Sequence, residues 1–317
     1  MPAQTAGPID SVLMIGFGGP TRPDQIMPFL ARVTEGRGIP EARLLEAAHH
    51  YELVGGRSPY TPQTELLVSS VGTWLSDHSL QIPVRLGMRN WDPFLRDTIA
   101  GMAGEGQRHA AGVILAAHRS EVSWDRYMTD VADATAAAGV EFAVTYLQPW
   151  YDEPGFIAAC ASRIEEVSGQ HRGKWPERLP VIFTAHSIPV ALAEKSPYLS
   201  DITTSCRRVA QLLGAADWQI AFQSRSGDPR TPWLEPDIRD VLRSRAQTGA
   251  REVVVFAIGF LSDHVEVLYD LDIEAAAIAR SLGLTLRRAT GVIEHPGFVA
   301  MLGQRILDMV RPVGSTR

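Results

Sequence analysis

Several features that would point to a function at once are scarce or missing here. Only two of the 317 residues are cysteines, Cys160 and Cys206, far apart and in no CxxC pair. That spacing excludes a disulfide framework, a zinc ribbon and a cysteine-ligated iron–sulfur motif, and it predicts two reduced, partly buried thiols in a reducing compartment. No lysine- or arginine-rich run occurs. The 30 basic and 36 acidic side chains are interleaved, for a formal charge of −6, so the electrostatic footprint of a nucleic-acid binder is absent. Long apolar runs are missing too. The longest, Val253 to Leu261, is about half of what a membrane-spanning helix needs, so integral insertion is not expected. The opening MPAQTAGPID has neither the basic flank nor the apolar core of a signal peptide, which points to the cytoplasm. There is no GxSxG elbow, P-loop or HExxH helix. Nucleophilic hydrolysis, nucleotide hydrolysis and zinc proteolysis drop out accordingly.

What remains is ordinary globular material, 45% hydrophobic and 21% charged, with enough chain for one large or two medium domains. Short apolar strands alternate with longer helical stretches. Strands are predicted at 11–17, 84–88, 112–117 and 142–147, with helices at 24–33, 59–75, 94–103 and 125–138. The rhythm then repeats, with strands at 180–186, 218–224, 253–259 and 285–289 and helices at 156–167, 200–213, 238–247, 264–282 and 298–310. Such alternation implies parallel sheets built from right-handed crossovers. Four strands on either side of Tyr151 imply two α/β halves, 1–151 and 152–317, with the closing helix expected to pack back on the first. Parallel sheets bind ligands beyond the carboxyl ends of their strands, and Phe17, Met88, His118, His186, Gln223 and the 262–266 segment all fall there. Two facing halves would turn those ends into one cleft.

Three stretches carry candidate chemistry. In TAHSIP (184–189) a histidine closes a buried strand, either as an active-site base or as a ring satisfied by a neighbouring hydroxyl or carbonyl. In GFLSDHVEVLYDLDIEA (259–275), Glu266, Asp270 and Glu274 recur at i, i+4 and i+8, one line along a helix. Such a stripe is either a solvated face or, given the repulsion between its members and its apolar neighbours Phe260, Val265, Leu268 and Tyr269, an oxygen-lined track for a hard divalent cation. The third is the pair GFGGP (16–20) and ELVGGRSP (52–59). Its glycines lack dinucleotide-binding spacing, but glycine turns beside Phe17 and Tyr51 would let a flat ligand approach the backbone.

FGGP (17–20), GGRSP (55–59), GMRNWDPF (87–94), WYDEP (150–154), TAHSIP (184–189), QSRSGDPRTPWLEP (223–236) and GFLSDHVEVLYDLD (259–272) run in order along nearly the whole chain. Taken together they resemble the ferrochelatase family. The resemblance implies two Rossmann-like chelatase domains, each a parallel four-stranded sheet flanked by helices, with a porphyrin in the cleft between them. It also implies an enzyme that inserts Fe²⁺ in haem biosynthesis. By position, His186 becomes the histidine at the macrocycle face and Glu266 its paired carboxylate. Asp270 and Glu274 continue the acidic line, so all four are expected to handle metal. ILAAHRSEVSWDRY (114–127) with WYDEP looks like the bacterial branch acting on coproporphyrin III. VTEGRGIP (33–40) and HHYELVGGRSP (49–59) look like its actinobacterial side.

On that basis Ser58 and Tyr127 are expected porphyrin contacts, joined by Phe17, Thr34, His50 and Tyr51. Phe17 stands where some bacterial members carry an iron-ligating tyrosine, and a phenyl ring cannot ligate. No iron–sulfur cluster or other cofactor is expected beyond the substrate iron. The expected assembly is a monomer, since the targeting and C-terminal dimer-forming extensions of eukaryotic-type members are not seen. Rival expectations are a protoporphyrin IX enzyme, a chelatase inserting another metal into another tetrapyrrole, and a non-catalytic tetrapyrrole- or haem-binding protein on the same fold.

Overall fold

The computed structural model describes residues 7–226 and 230–311. Residues 227–229, inside the QSRSGDPRTPWLEP stretch, therefore lie outside the described residues, as do the two termini. The first half opens with β1 (Ser11–Gly16), whose six residues are all buried. This is the signature of a strand covered on both faces. A short 3₁₀ turn leads into α1 (Ile26–Val33), followed by α2 (Glu41–Leu53) and α3 (Tyr60–Asp77). Next come β2 (Val84–Met88), α4 (Leu95–Gly104), β3 (His109–Ile114), a π-helical turn (Glu121–Asp125), α5 (Arg126–Ala138) and β4 (Ala143–Tyr146).

The second half runs α6 (Pro154–Ser168), β5 (Val181–His186), α7 (Val190–Ala193), α8 (Tyr198–Leu213), β6 (Trp218–Gln223), α9 (Ile238–Gln247) and β7 (Glu252–Phe256). A composite helix follows: α10 (Val265–Val267), a π-helical segment (Leu268–Ala275) and α11 (Ala276–Ser281). β8 (Thr285–Ala289) and α12 (Pro296–Val310) close the chain.

All strand pairs are parallel. The sheet orders are β2-β1-β3-β4 and β6-β5-β7-β8. Both halves are thus wound identically, with the first strand inside and the order reversing between their first and third strands. That reversal is where an open α/β sheet leaves a crevice. In the second half it lies between β5, which ends on His186, and β7, which feeds the 257–266 loop.

The halves share one hydrophobic core. A single cluster joins Val12, Met14, Leu67 and Val71 of the first to Phe156, Phe183, Phe298 and Leu302 of the second. Cys160 and Cys206 are buried within it as free thiols. The closing helix does pack back: α12 crosses α3 so closely that a Cβ on Gly303 would come 2.2 Å from the Trp74 ring.

Three expectations need correction. β3 lies at His109–Ile114 rather than 112–117; its Ala110 and Ala111 pair with Ser11 and Val12 of β1, and small residues carry little strand signal alone. The 264–282 stretch is not one regular helix, because residues 268–275 close i→i+5 bonds. α2 was not foreseen: Tyr51 is its one buried residue, so its apolar periodicity is faint.

Candidate active site

β5 delivers His186 to the crevice at the carboxyl end of its sheet, level with Gln223 on β6. Its ring is pinned by a 2.5 Å contact between Nδ1 and the carbonyl oxygen of Ser187. A carbonyl oxygen can only accept, so Nδ1 carries the proton and, in the neutral ring, Nε2 keeps its lone pair. The Tyr198 hydroxyl donates to the His186 carbonyl at 3.0 Å and holds the backbone from below. His186 is therefore only partly buried and fixed in one tautomer.

Near it, in the same half, runs the acidic segment. His264 caps α10: its Nδ1 accepts the Glu266 N–H at 3.2 Å, and its ring meets Phe260 edge-on at 4.7 Å. Burial lowers its pKa, and the nearby His186 does so further, against the raising effects of Glu266 and Asp263. A neutral ring is what a cap acceptor requires. Glu266 is exposed, whereas Asp270 is largely withdrawn from solvent. Gln223 Nε2 donates to Asp270 Oδ2 at 3.3 Å, and Ser224 Oγ makes a very short hydrogen bond to the same oxygen. Ser224 has φ +61°, a left-handed conformation that costs a non-glycine residue about 1–2 kcal/mol and here aims its hydroxyl at the carboxyl.

Asp270 is pushed up to about 6, first by burial and then by Glu266 and Glu274, with Ser224 and His186 opposing. The same residues thus act on one another through space, which places His186, Glu266, Asp270 and Glu274 in one electrostatic neighbourhood. In the π-helical turn a spacing of four falls just short of one revolution instead of just past it, so the stripe survives the change of helix type. Among the described residues no three His, Cys, Asp or Glu side chains converge into one closed metal site. The carboxylates are strung along the helix instead.

The first half supplies the other wall. His50 of α2 stacks on Tyr269 with ring centroids 3.6 Å apart and planes 10° from parallel, and the Tyr269 hydroxyl reaches Glu274 at 3.5 Å. Burial lowers the His50 pKa, while Glu274, Glu46 and Glu266 pull it up. Tyr51 is buried and its phenol pKa is raised, by burial first and by Glu266 second. Both therefore join the neighbourhood. Phe17 stands exposed at the end of β1, edge-on to Phe29, which in turn meets Tyr51 and Trp91. The turn behind Phe17 requires glycine: Gly18 has φ +92°, and a Cβ there would meet Trp91 at 2.9 Å.

Three further expected contacts also hold partners within the chain. Thr34 Oγ1 donates to Leu30 O at 2.7 Å, closing α1. Ser58 is 2% exposed and caps the entry to α3, accepting from Tyr60 N. Tyr127 is buried in the first-half core under the Arg89 guanidinium, 5.9 Å from its ring centroid. His118, also expected near the strand ends, is 3% exposed and bonded to Ser205 of α8 at 3.0 Å. Sequence reasoning assigned no role to His264, Tyr269, Gln223 or Ser224. All four lie inside the quoted motifs, and His264 two residues before Glu266 was the available signal.

A protein-family model described as ferrochelatase matches residues 10–310. A protein named ferrochelatase from Rhodopirellula baltica is 38% identical over 297 residues, covering 93% of this chain and 84% of its own length. Coproporphyrin III ferrochelatases from Streptomyces coelicolor (38% identity, 96% of this chain, 86% of theirs) and Mycolicibacterium paratuberculosis (39%, 95% and 88%) match as extensively. Among solved structures, SirB from Bacillus subtilis with Fe³⁺ superposes with a TM-score of 0.59 at 11% identity, covering 96% of both chains. At that identity the likeness concerns the fold.

Proposed function

This chain belongs to the ferrochelatase family, and from that premise we propose that it inserts Fe²⁺ into coproporphyrin III, with His186 and Glu266 both presented from the second-half wall of the cleft. One observation carries the assignment of roles. The Ser187 carbonyl holds the His186 proton on Nδ1, so in the neutral ring Nε2 keeps its lone pair. Metallation must remove two protons from the inner pyrrole nitrogens, and a fixed neutral imidazole is a competent acceptor. The carboxylates of Glu266, Asp270 and Glu274 are the harder ligands and suit the incoming cation. Their open arrangement favours passing a metal along over retaining one.

The porphyrin assignment draws on the relatives' names and on a cavity in the first half. Arg32, Arg37, Arg89, Arg96 and Arg126 line a cavity of about 480 Å³, with Glu35, Asp130 and Asp133. Arg89 and Arg126 both pair with Asp130, and Arg96 with Asp97; a cavity carrying these guanidinium groups suits a carboxylate-bearing substrate. Iron enters as substrate. With two cysteines, both buried in the shared core, the chain has too few thiols for a four-cysteine cluster. No helix among the described residues is long and apolar enough to cross a membrane. Both cleft walls come from one chain, which supports action as a monomer, and the free thiols suit the cytoplasm.

The test is anaerobic Fe²⁺ insertion followed by absorbance, with coproporphyrin III and protoporphyrin IX in parallel. Coproporphyrin is expected to have the higher kcat/KM; equal or better use of protoporphyrin would overturn the substrate assignment. In the same assay His186→Ala is expected to abolish insertion while porphyrin binding stays detectable by fluorescence quenching. Wild-type turnover in that variant would remove His186 from the chemistry.

A further inference from the structure

The 263–274 segment carries five acidic residues, and the fold divides them. Glu266, Asp270 and Glu274 belong to the cleft neighbourhood. Asp263 and Asp272 turn the other way and share one cation. Arg288 of β8, its side chain 11% exposed, donates from Nη1 to Asp263 Oδ1 at 2.8 Å and from Nε to Asp272 Oδ1 at very short range. Asp263 Oδ1 also accepts the Gly291 N–H at 3.1 Å. The strap after β8 is pressed against the same turn: Ile293 N donates to Leu261 O at 2.9 Å, and a Cβ on Gly291 would come 2.4 Å from that oxygen. One guanidinium thus grips the segment at two points. One lies three residues before Glu266 and the other between Asp270 and Glu274.

We propose that Arg288 is a positioning residue for metal handling: by clamping Asp263 and Asp272 to β8, it sets the rotation of the π-helical segment that turns Glu266, Asp270 and Glu274 into the cleft. The physical argument is one of registry. Residues two apart on a helix do not share a face, so anchoring Asp272 backward forces Asp270 and Glu274 forward. Val267, Leu271 and Ala275 press the segment's apolar face on the second-half core. A single buried cation fixes which acids flank that face, and it neutralises only the rear set. The cleft carboxylates stay on the other side of the segment, with Asp270 and Glu274 held by the hydroxyls and amide of Ser224, Tyr269 and Gln223. The planar fork of arginine can serve two carboxylates at once, which an ammonium does poorly. The inference rests on the reading of the front carboxylates as the metal route.

Three variants test it: Arg288→Lys, Arg288→Met, and Arg288→Met combined with Asp263→Asn and Asp272→Asn. Initial rates are measured for anaerobic Fe²⁺ insertion into coproporphyrin III, varying each substrate in turn, with Tm followed by circular dichroism. Loss of an outer partner that orients metal ligands commonly costs about ten-fold or more in metal affinity. Arg288→Met is therefore expected to raise the KM for Fe²⁺ about ten-fold while the porphyrin KM stays within about two-fold. Arg288→Lys should fall between. The triple variant removes the buried charges together, so its Tm should recover relative to Arg288→Met while the metal KM stays high. A folded variant with wild-type metal KM would overturn the proposal, as would equal rises in both KM values. If neither methionine variant accumulates, Arg288→Lys decides by the same criterion. A wild-type enzyme that inserts no iron at all would instead remove the metal-route reading beneath it.

Discussion

His186 and His118 show how one residue type acquires opposite tasks from its surroundings. His186 is partly open to solvent, with one nitrogen spoken for by a carbonyl and the other without a hydrogen-bond partner among the described residues. His118 sits between the halves, 3% exposed and hydrogen-bonded to Ser205, and burial drives its pKa down to about 3. Its folded-state pKa is thus depressed below the ordinary 6.5. Between those values the unfolded chain binds a proton that the folded chain refuses, so stability is full above pH 6.5 and falls as the pH drops. At pH 5 the loss from this group is about 2 kcal/mol. Urea midpoints at pH 7 and pH 5 should show that difference between the native protein and His118→Gln, the variant being the less pH-sensitive. Parallel pH slopes for the two proteins would contradict it.

The closing helix and the 264–281 helix are elements that local propensity describes incompletely. Gly303 lies inside α12, where alanine would ordinarily gain about 1 kcal/mol. Here its missing side chain lets the Trp74 ring of α3 lie against the helix backbone. Gly303→Ala is therefore expected to lower stability, by about 1–3 kcal/mol as for other overpacked sites, read as a drop in urea midpoint. An increase would show that α3 and α12 can separate freely. The composite helix carries a related lesson. Leu271 and Ala275 face the second-half core, fully buried, while Asp272 is tied to β8. The i→i+5 turns reconcile those rearward anchors with a cleft-facing acidic line.

At the scale of the whole molecule, the two halves are joined by more than a linker. They share one core, and across the cleft they meet at Val265 within the α1–α2 cluster, at the 2.6 Å bond from Ser262 Oγ to Gln63 Oε1, and at the His50–Tyr269 stack. The stack adjoins the acidic line, since Tyr269 precedes Asp270 and its hydroxyl reaches Glu274. An aromatic pair of this kind contributes about 0.5–1.5 kcal/mol. His50→Ala should therefore leave Tm nearly unchanged and speed release of bound coproporphyrin a few-fold, measured by stopped-flow fluorescence. Unaltered release would show that the stack does not restrain the cleft.

The division between sequence and tertiary structure follows from what each interaction depends on. Strand alternation, the buried run at 181–185 and the carboxylate spacing at 266, 270 and 274 are local, so they were legible along the chain, as were the ordered motifs that carry the family resemblance. The identical winding of the two sheets, the proton on His186 Nδ1 and the inward turn of Ser58 and Tyr127 were not. Neither was the split of five acids into a front set and a rear set. Each depends on a partner distant in sequence or on a backbone carbonyl's direction: Arg288 for Asp272, Tyr269 for His50, the Ser187 oxygen for His186. Residue types and spacings determined which groups were present; only the packing of β5, β7 and β8 against the rest decided which way each one faces.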